Sequence, residues 1–444
     1  MHQMPATAGR VGQGRGEALR EATSDEAGLP RQGLEGAGRD LLAQALAREN
    51  MQCAWKRVKA NKGAAGVDGL DIARTGEHLK HAWPSIRQQL LEGTYRPSPV
   101  RRVGIPKPGG SERELGIPTV TDRLIQQALL QVLQPLIDPT FSEHSYGFRP
   151  GRRARDAVLA AQRYARQGYR IVVDVDLSKF FDRVNHDILV ARLGRRVNDA
   201  GVIRLVRAYL NAGIMDGGVV IERVEGTPQG GPLSPLLDEV DRELERRGHR
   251  FVRYADDCNV SVSSQKAGER VMALLLRCYD RLHLKINESK SAVACVFGRK
   301  FLGYALWQAG NGEVRRGVSE KALEAFKQRV RQLTRRNGGC SMEEVIERLR
   351  SYLLGWKGCF GLAQTPSVWR RLDAWIRRRL RALQLKQWRR GKTIYRELIR
   401  LGASARVAQS VAALGRRWWH NGLSAVHHVL TIAYFDRLGV PRLS

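Results

Sequence analysis

Two short alternating stretches, each bearing carboxylates at one end, constrain this chain more than any other feature. Over residues 169–176, Ile171, Val173 and Val175 alternate with Val172, Asp174 and Asp176, the period-two pattern of a half-buried strand. Over residues 251–262, Val252 and Tyr254 precede Ala255-Asp256-Asp257, and Cys258, Val260 and Val262 then alternate with Asn259 and Ser261. The second stretch reads as two strands folded back about the acids, a hairpin with carboxylates at its tip. Helical patterns lie between and after these strands. Leu124, Ile125, Ala128, Leu129, Val132, Leu133 and Leu136 recur at three-four spacing over residues 122–137, with Thr121 or Asp122 placed to cap. Residues 41–59 also suggest one helix, and over 271–282 Leu274, Leu275, Cys278 and Leu282 share one side. The expected class is α+β with an antiparallel sheet.

Beyond about residue 318 the strand signals fade and the chain turns helical and basic. Trp369, Leu372, Ile376, Leu380 and Leu383 keep helical spacing while Arg370, Arg371, Arg377, Arg378 and Arg381 fill the other faces. Over all 444 residues, 75 Lys and Arg stand against 44 acids, a formal net charge of +31. Solubility needs only roughly 2 to 8 charges on a small domain, so the excess points to a large polyanion as partner. Residues 1–40 have almost no large apolar side chains and are expected to be disordered. The six cysteines form no CxxC pair, which argues against a zinc site or a disulfide frame and fits a reducing cytoplasm. No stretch approaches the ~18 apolar residues that would span a bilayer, so no membrane is expected and the protein reads as cytoplasmic, with nucleoid association open to it.

Carboxylates gathered at strand ends suit nucleotidyl transfer, which uses two magnesium ions ~3.5 to 4 Å apart. Magnesium takes hard oxygen ligands, typically one or two carboxylates completed by substrate phosphates and water. A lone Asp-Asp pair is more often an ordinary polar turn. The flanking residues change that reading. Tyr254-Ala255-Asp256-Asp257 between apolar strands resembles the active-site signature of reverse transcriptases, and other motifs agree in order. Residues 105–110 with Arg113, then Leu115-Gly116-Ile117-Pro118, look like a fingers segment. Asp176-Leu177-Ser178-Lys179-Phe180-Phe181-Asp182 looks like the first catalytic motif, and residues 226–235, containing Pro228-Gln229-Gly230-Gly231, look like the nucleotide-pocket loop. Residues 284–290 and Phe301-Leu302-Gly303-Tyr304 look like the last palm motifs.

Together these resemble the group II intron-encoded reverse transcriptase and maturase family, from about residue 45 onward. The resemblance implies a right-hand polymerase, with fingers and palm over residues 41–310, a helical thumb or maturase domain over 311–390 and a short basic helical tail over 391–444. It implies Mg2+, with Mn2+ as a substitute, held by Asp176, Asp256 and Asp257. Asp176 is chosen over Asp174 because Phe181 then sits where the family places the ring below the sugar. The implied partners are dNTPs, an RNA template with DNA primer, group II intron RNA and target DNA; monomer and homodimer both stay open. Lys107 and Arg113, across a Pro-Gly turn, can put two cations on triphosphate oxygens. Gln229 can present an amide between Pro228 and Gly230, whose lack of a side chain lets backbone approach the nucleotide. Lys290 can meet template or primer phosphate, and Arg377, Arg378 and Arg381 can contact nucleic acid beside Trp369, Trp375 and Trp388. Residues 416–420 extend that basic and aromatic patch.

Two departures from the family pattern stand out. Paired cysteines of an HNH-type endonuclease do not follow the tail, so DNA cleavage is not expected of this chain. After Leu237 the chain reaches Asp238-Glu239-Val240-Asp241 about five residues early, roughly 1.4 helical turns and about 140° of phase. Leu236, Leu237, Val240 and Leu244 still form an apolar stripe on the shortened helix. Two alternatives to an active intron-encoded polymerase follow. One is a catalytically impaired RNA-binding splicing factor, and the other is an intron-independent relative acting in repair or phage defence.

Overall fold

The computed structural model describes residues 40–106, 112–216, 219–221, 225–227, 234–414, 417–423 and 425–444. The chain divides into two compact units, with a break between Cys295 and Val296. The segment expected to be disordered lies, but for Asp40, outside the described residues.

The first unit runs α1 (Leu41–Ala45), α2 (Arg48–Ala60), α3 (Ile72–Glu92), β1 (Val100–Pro106), β2 (Glu112–Ile117), α4 (Val120–Ile137), α5 (Ala154–Arg166) and β3 (Ile171–Val175). It continues through α6 (His186–Gly194), α7 (Ala200–Asn211), β4 (Ile214–Asp216), β5 (Val219–Ile221), α8 (Ser234–Arg246), β6 (Arg250–Tyr254), β7 (Asp257–Val262), α9 (Gln265–Asp280) and β8 (Ala292–Cys295). Two expectations need correcting here. Residues 41–59 form two helices, because Ala47 adopts an extended conformation between them. The cap of α4 is Thr119, whose hydroxyl accepts from Asp122 N. Asp122 is instead buried, its carboxylate taking hydrogen bonds from Tyr95, Ser98 and Thr119.

Four strands form an antiparallel sheet in the order β6-β7-β3-β8. Its apolar residues Val173, Val175, Phe251 and Val260 pack with Leu236, Leu237, Val240 and Leu244 of α8 and with Val271, Leu275 and Tyr279 of α9. The stripe on the shortened helix is therefore covered: all four of its residues are at most 1% exposed. Each such side chain contributes about 1.5–3 kcal/mol by leaving water. The shortening thus leaves β6 supported. A second sheet, β2-β1-β4-β5, adjoins a helical core drawn from α1, α2, α3, α4 and α7.

The second unit starts with a small antiparallel sheet of β9 (Lys300–Phe301), β10 (Tyr304–Gln308) and β11 (Val314–Val318), in the order β11-β10-β9. Seven helices follow among the described residues: α10 (Glu320–Leu333), α11 (Met342–Phe360), α12 (Pro366–Trp388), α13 (Gly391–Arg400), α14 (Ala405–Ala413), α15 (Trp418–Asn421) and α16 (Ile432–Arg437). Phe326, Trp356, Phe360 and Trp369 interlock at its centre, Trp356 lying 4.2 Å from Phe326 and 5.2 Å from Trp369 between ring centroids. The architecture is thus mixed helix and sheet, ending in a helical C-terminal region.

Candidate active site

The site grows from strand register. β3 and β7 pair antiparallel as far as Val175 opposite Cys258, so the next residue on each side is Asp176 and Asp257. Directly opposed residues in such a ladder lie about 4.5–5.5 Å apart and share a face. β6 and β7 close at Tyr254 opposite Asp257, leaving Ala255 and Asp256 as the turn, with Ala255 left-handed at φ +55. Asp256 is therefore at the tip, adjacent to the pair. Burial pushes the Asp257 carboxyl up to about 6, and the carboxylates of Asp256, Asp174 and Asp176 add to the rise. Asp257 thus lies within electrostatic reach of three other carboxylates at one end of the sheet.

Asp176 is strapped from the other side. Its N–H donates to Ser291 Oγ at 3.0 Å, and Asn287 N donates to its carbonyl oxygen at 2.8 Å. The same strap brings Lys290 Nζ to 3.3 Å from Asp176 Oδ2, a half-exposed ion pair. Phe181 is partly buried against the sheet core, edge-on to Phe180 at 5.3 Å. Its carbonyl accepts from Thr227 N at 2.7 Å, and Gly226 N donates to Val184 O at 2.8 Å. His186 Nε2 donates to the Gly226 carbonyl at 2.6 Å. The start of the expected nucleotide-pocket loop is thereby pinned beside Phe181. Lys107, Pro228, Gln229 and Gly230 lie outside the described residues, and so does the side chain of Arg113, whose backbone pairs with Ile105 in β2.

The Ala255–Asp256 turn rests on a buried ion pair that sequence reasoning missed. Arg253 and Asp241 are 1% and 0% exposed, with Arg253 Nε 2.7 Å from Asp241 Oδ1 and Nη2 bonded to Oδ2. Arg253 Nη1 also donates to the Ala255 carbonyl at 3.0 Å, tying α8 to the turn itself. Burial raises the Asp241 carboxyl, and Arg253 pulls it back down. The signal was present in two local anomalies: an arginine among apolar strand residues, and an acid on the stripe of α8.

Among the described residues no group of three or more His, Cys, Asp or Glu is close enough to hold a metal ion by itself. The donors gathered at the sheet end are nonetheless all carboxylate oxygens, the hard ligands that magnesium selects, and magnesium ordinarily draws the rest of its shell from substrate phosphates and water. Burial, with nearby carboxylates adding to it, disfavours the charged form of Asp257, and a divalent ion would relieve that cost.

In the second unit the three arginines singled out above separate. Arg377 is 0% exposed and bonded to Asp373 and Asp436, each at 3.0 Å. Arg381 is buried, with Nε donating to Leu430 O at 2.8 Å. The Arg377 guanidinium is thus held inside, joining α12 to Asp436, while Arg381 ties α12 to residue 430 through Nε. Arg378 stacks over the exposed Trp419 ring at 3.9 Å, and Arg379 lies over Trp375 at 5.4 Å. No helix among the described residues is long and apolar enough to cross a membrane.

Residues 105–306 match the family model described as "Reverse transcriptase (RNA-dependent DNA polymerase)", and residues 323–402 match "Group II intron, maturase-specific domain". Among curated proteins, the chain is 38% identical over 199 residues to "Protein YkfC" of Escherichia coli, covering 42% of this chain and 52% of that one. It is 28% identical over 343 residues to "Group II intron-encoded protein LtrA" of Lactococcus lactis, covering 60% of this chain and 56% of that one. The chain thus spans about half the length of the curated relatives it matches. A solved "Partial Cas6-RT-Cas1--Cas2 complex" aligns over 54% of this chain and 42% of its own at 27% identity, with a TM-score of 0.35, too loose to argue from. The carboxylate-tipped sheet falls inside the first family match and the stacked arginines of α12 inside the second, and with both matches in this order the chain belongs to the group II intron reverse transcriptase and maturase family.

Proposed function

We propose that this protein copies RNA into DNA as the polymerase of a group II intron and also assists splicing of that intron's RNA. One observation carries the reading: the β3–β7 ladder ends at Val175 opposite Cys258, one step before Asp176 and Asp257, with Asp256 on the adjoining turn. In this reading β6-β7-β3-β8 belongs to a fingers and palm region over residues 41–310, residues 311–390 are the helical thumb, and 391–444 the basic tail.

Two Mg2+ ions held by Asp176, Asp256 and Asp257 would activate the primer 3′-hydroxyl and neutralise charge on the leaving pyrophosphate. The chain's own residues do the rest. Lys107 and Arg113 bind the triphosphate, Pro228, Gln229 and Gly230 seat the nucleotide, and the Phe181 ring excludes a 2′-hydroxyl. Lys290, beside Asp176, meets backbone phosphate of template or primer. Arg378, already lying over a tryptophan ring, faces intron RNA together with Arg381, while Arg377 holds α12 from inside. dNTPs, an RNA template with DNA primer, intron RNA and target DNA are the partners, and the cytoplasm is the place of action. The covered stripe of α8 and the Asp241–Arg253 pair favour an active enzyme over an impaired splicing factor.

The test is primer extension on an RNA template with and without Mg2+, using the full chain and its Asp256→Ala and Asp257→Ala variants. Extension by the parent alone, with RNA affinity nearly unchanged in the variants, is expected. Equal extension by all three would end the metal-ligand assignment.

A further inference from the structure

Phe148, in the loop before α5, combines two unfavourable features. Its side chain is 79% exposed, and its backbone is left-handed at φ +57. A bulky side chain at positive φ is strained, and an exposed ring forgoes the stabilisation that burial would give. Such a conformation persists only where the surroundings over-determine it.

Here they do so from both sides. Arg149, the next residue, is buried, with Nε donating to Asp138 Oδ1 at 2.8 Å, Nη2 to Asp138 O at 2.9 Å and Nη1 to the carbonyls of Ser142 and Ser145. The preceding segment is laid along β6: Arg253 N donates to His144 O at 2.9 Å, and Tyr146 N donates to Arg253 O at 2.8 Å. Gly147 backs directly onto the catalytic turn, where a Cβ would lie 2.3 Å from Ala255 N. The loop therefore cannot relax without moving the turn. Its ring is held outward against Tyr254, centroids 5.8 Å apart and planes at 50°, two residues before Asp256.

We infer that Phe148 is a base-stacking residue whose outward face receives a nucleobase at the end of the duplex presented to Asp256 and Asp257. An apolar ring fixed beside a cluster of carboxylates offers nothing to phosphate and everything to a flat π-face, and stacking of this kind accepts any base. The inference rests on the polymerase reading and adds to it the contact that orients a base. The base belongs either to the template strand or to the incoming nucleotide, and the same experiment separates the two.

Full-length protein and its Phe148→Ala and Phe148→Tyr variants are given an RNA template and DNA primer with 2-aminopurine at the templating position, and fluorescence is read on binding before any nucleotide is added. Single-nucleotide extension then follows on normal templates and on templates abasic at that position. Phe148→Ala is expected to keep the parent's melting temperature, since the ring is exposed, and to lose about tenfold or more in extension efficiency, with Phe148→Tyr restoring it. Weaker quenching with Phe148→Ala, and a defect that disappears on the abasic template, assign the ring to the template base. A rise in KM for the nucleotide that persists on the abasic template assigns it to the incoming base. Extension by Phe148→Ala within twofold of the parent on every substrate, with unchanged quenching, overturns the inference while leaving the polymerase intact. Failure of the parent to extend any primer sinks the polymerase reading instead, and the quenching comparison still decides whether Phe148 stacks.

Discussion

The sheet end of the first unit and helix α12 of the second both concentrate charge, yet they use it in opposite ways. At the sheet end, a few carboxylates of one sign are gathered, and Asp257 rises to about 6, chiefly because it is buried and further because Asp256, Asp174 and Asp176 are near. One buried arginine, Arg253, sits behind them and fixes the turn through Asp241 and the Ala255 carbonyl. On α12, adjacent arginines divide the labour: Arg377 is consumed inside by Asp373 and Asp436, while Arg378 lies over Trp419. Charge that is buried and paired positions the chain; charge left at the surface, or crowded with its own sign, is available to a ligand.

The largest expected effect tests the crowded carboxylates. Asp257→Ala should lower the primer-extension rate by roughly a thousandfold or more, since a metal ligand accounts for several kcal/mol of transition-state stabilisation. RNA affinity should hold within about twofold, and a parallel fall in RNA binding would place Asp257 in a structural role. Next come the buried pairs. Arg253→Met should cost about 3–5 kcal/mol in denaturant unfolding, because it strands the fully buried Asp241. Arg377→Ala should cost about 1–3 kcal/mol, because Asp373 keeps the Leu443 and Ser444 N–H donors and Asp436 keeps Arg442. Arg253→Met should also slow extension, whereas Arg377→Ala should leave the rate per folded molecule unchanged; identical behaviour of the two would erase the contrast drawn above. Leu237→Ala, on the covered stripe of α8, should cost about 2–5 kcal/mol by leaving a cavity under the sheet. A cost below about 1 kcal/mol would mean that the shortened helix is not the support it is taken for. The smallest effect belongs to the surface. Arg378→Ala should change stability by no more than about 0.5 kcal/mol and reduce the salt dependence of intron RNA binding by about one unit of log–log slope, measured by filter binding across salt concentrations.

Much of this was legible before any fold was known. β3, the β6–β7 hairpin, α9 and the apolar stripe of α8 follow from periodicity, and the acids at the strand ends were visible in the alternation itself. The misreadings came where local pattern was indifferent. Thr119, Thr121 and Asp122 are all competent caps, and only the burial of Asp122 against Tyr95 and Ser98 selected Thr119. Residues 41–59 are apolar enough for one helix, and packing broke them at Ala47.

By itself the sequence determined which residues could form strands and helices, which acids would stand at strand ends, and a strong positive charge suited to a polyanion, because periodicity and net charge are properties of the chain alone. That Asp176 stands beside Asp257, that Arg253 and Arg377 are interior while Arg378 is not, and that Phe148 is held outward beside Tyr254 were decided only by tertiary structure. The physical reason is that a side chain's electrostatic surroundings depend on what packs across from it, and register between distant strands is set by burial of their shared apolar face.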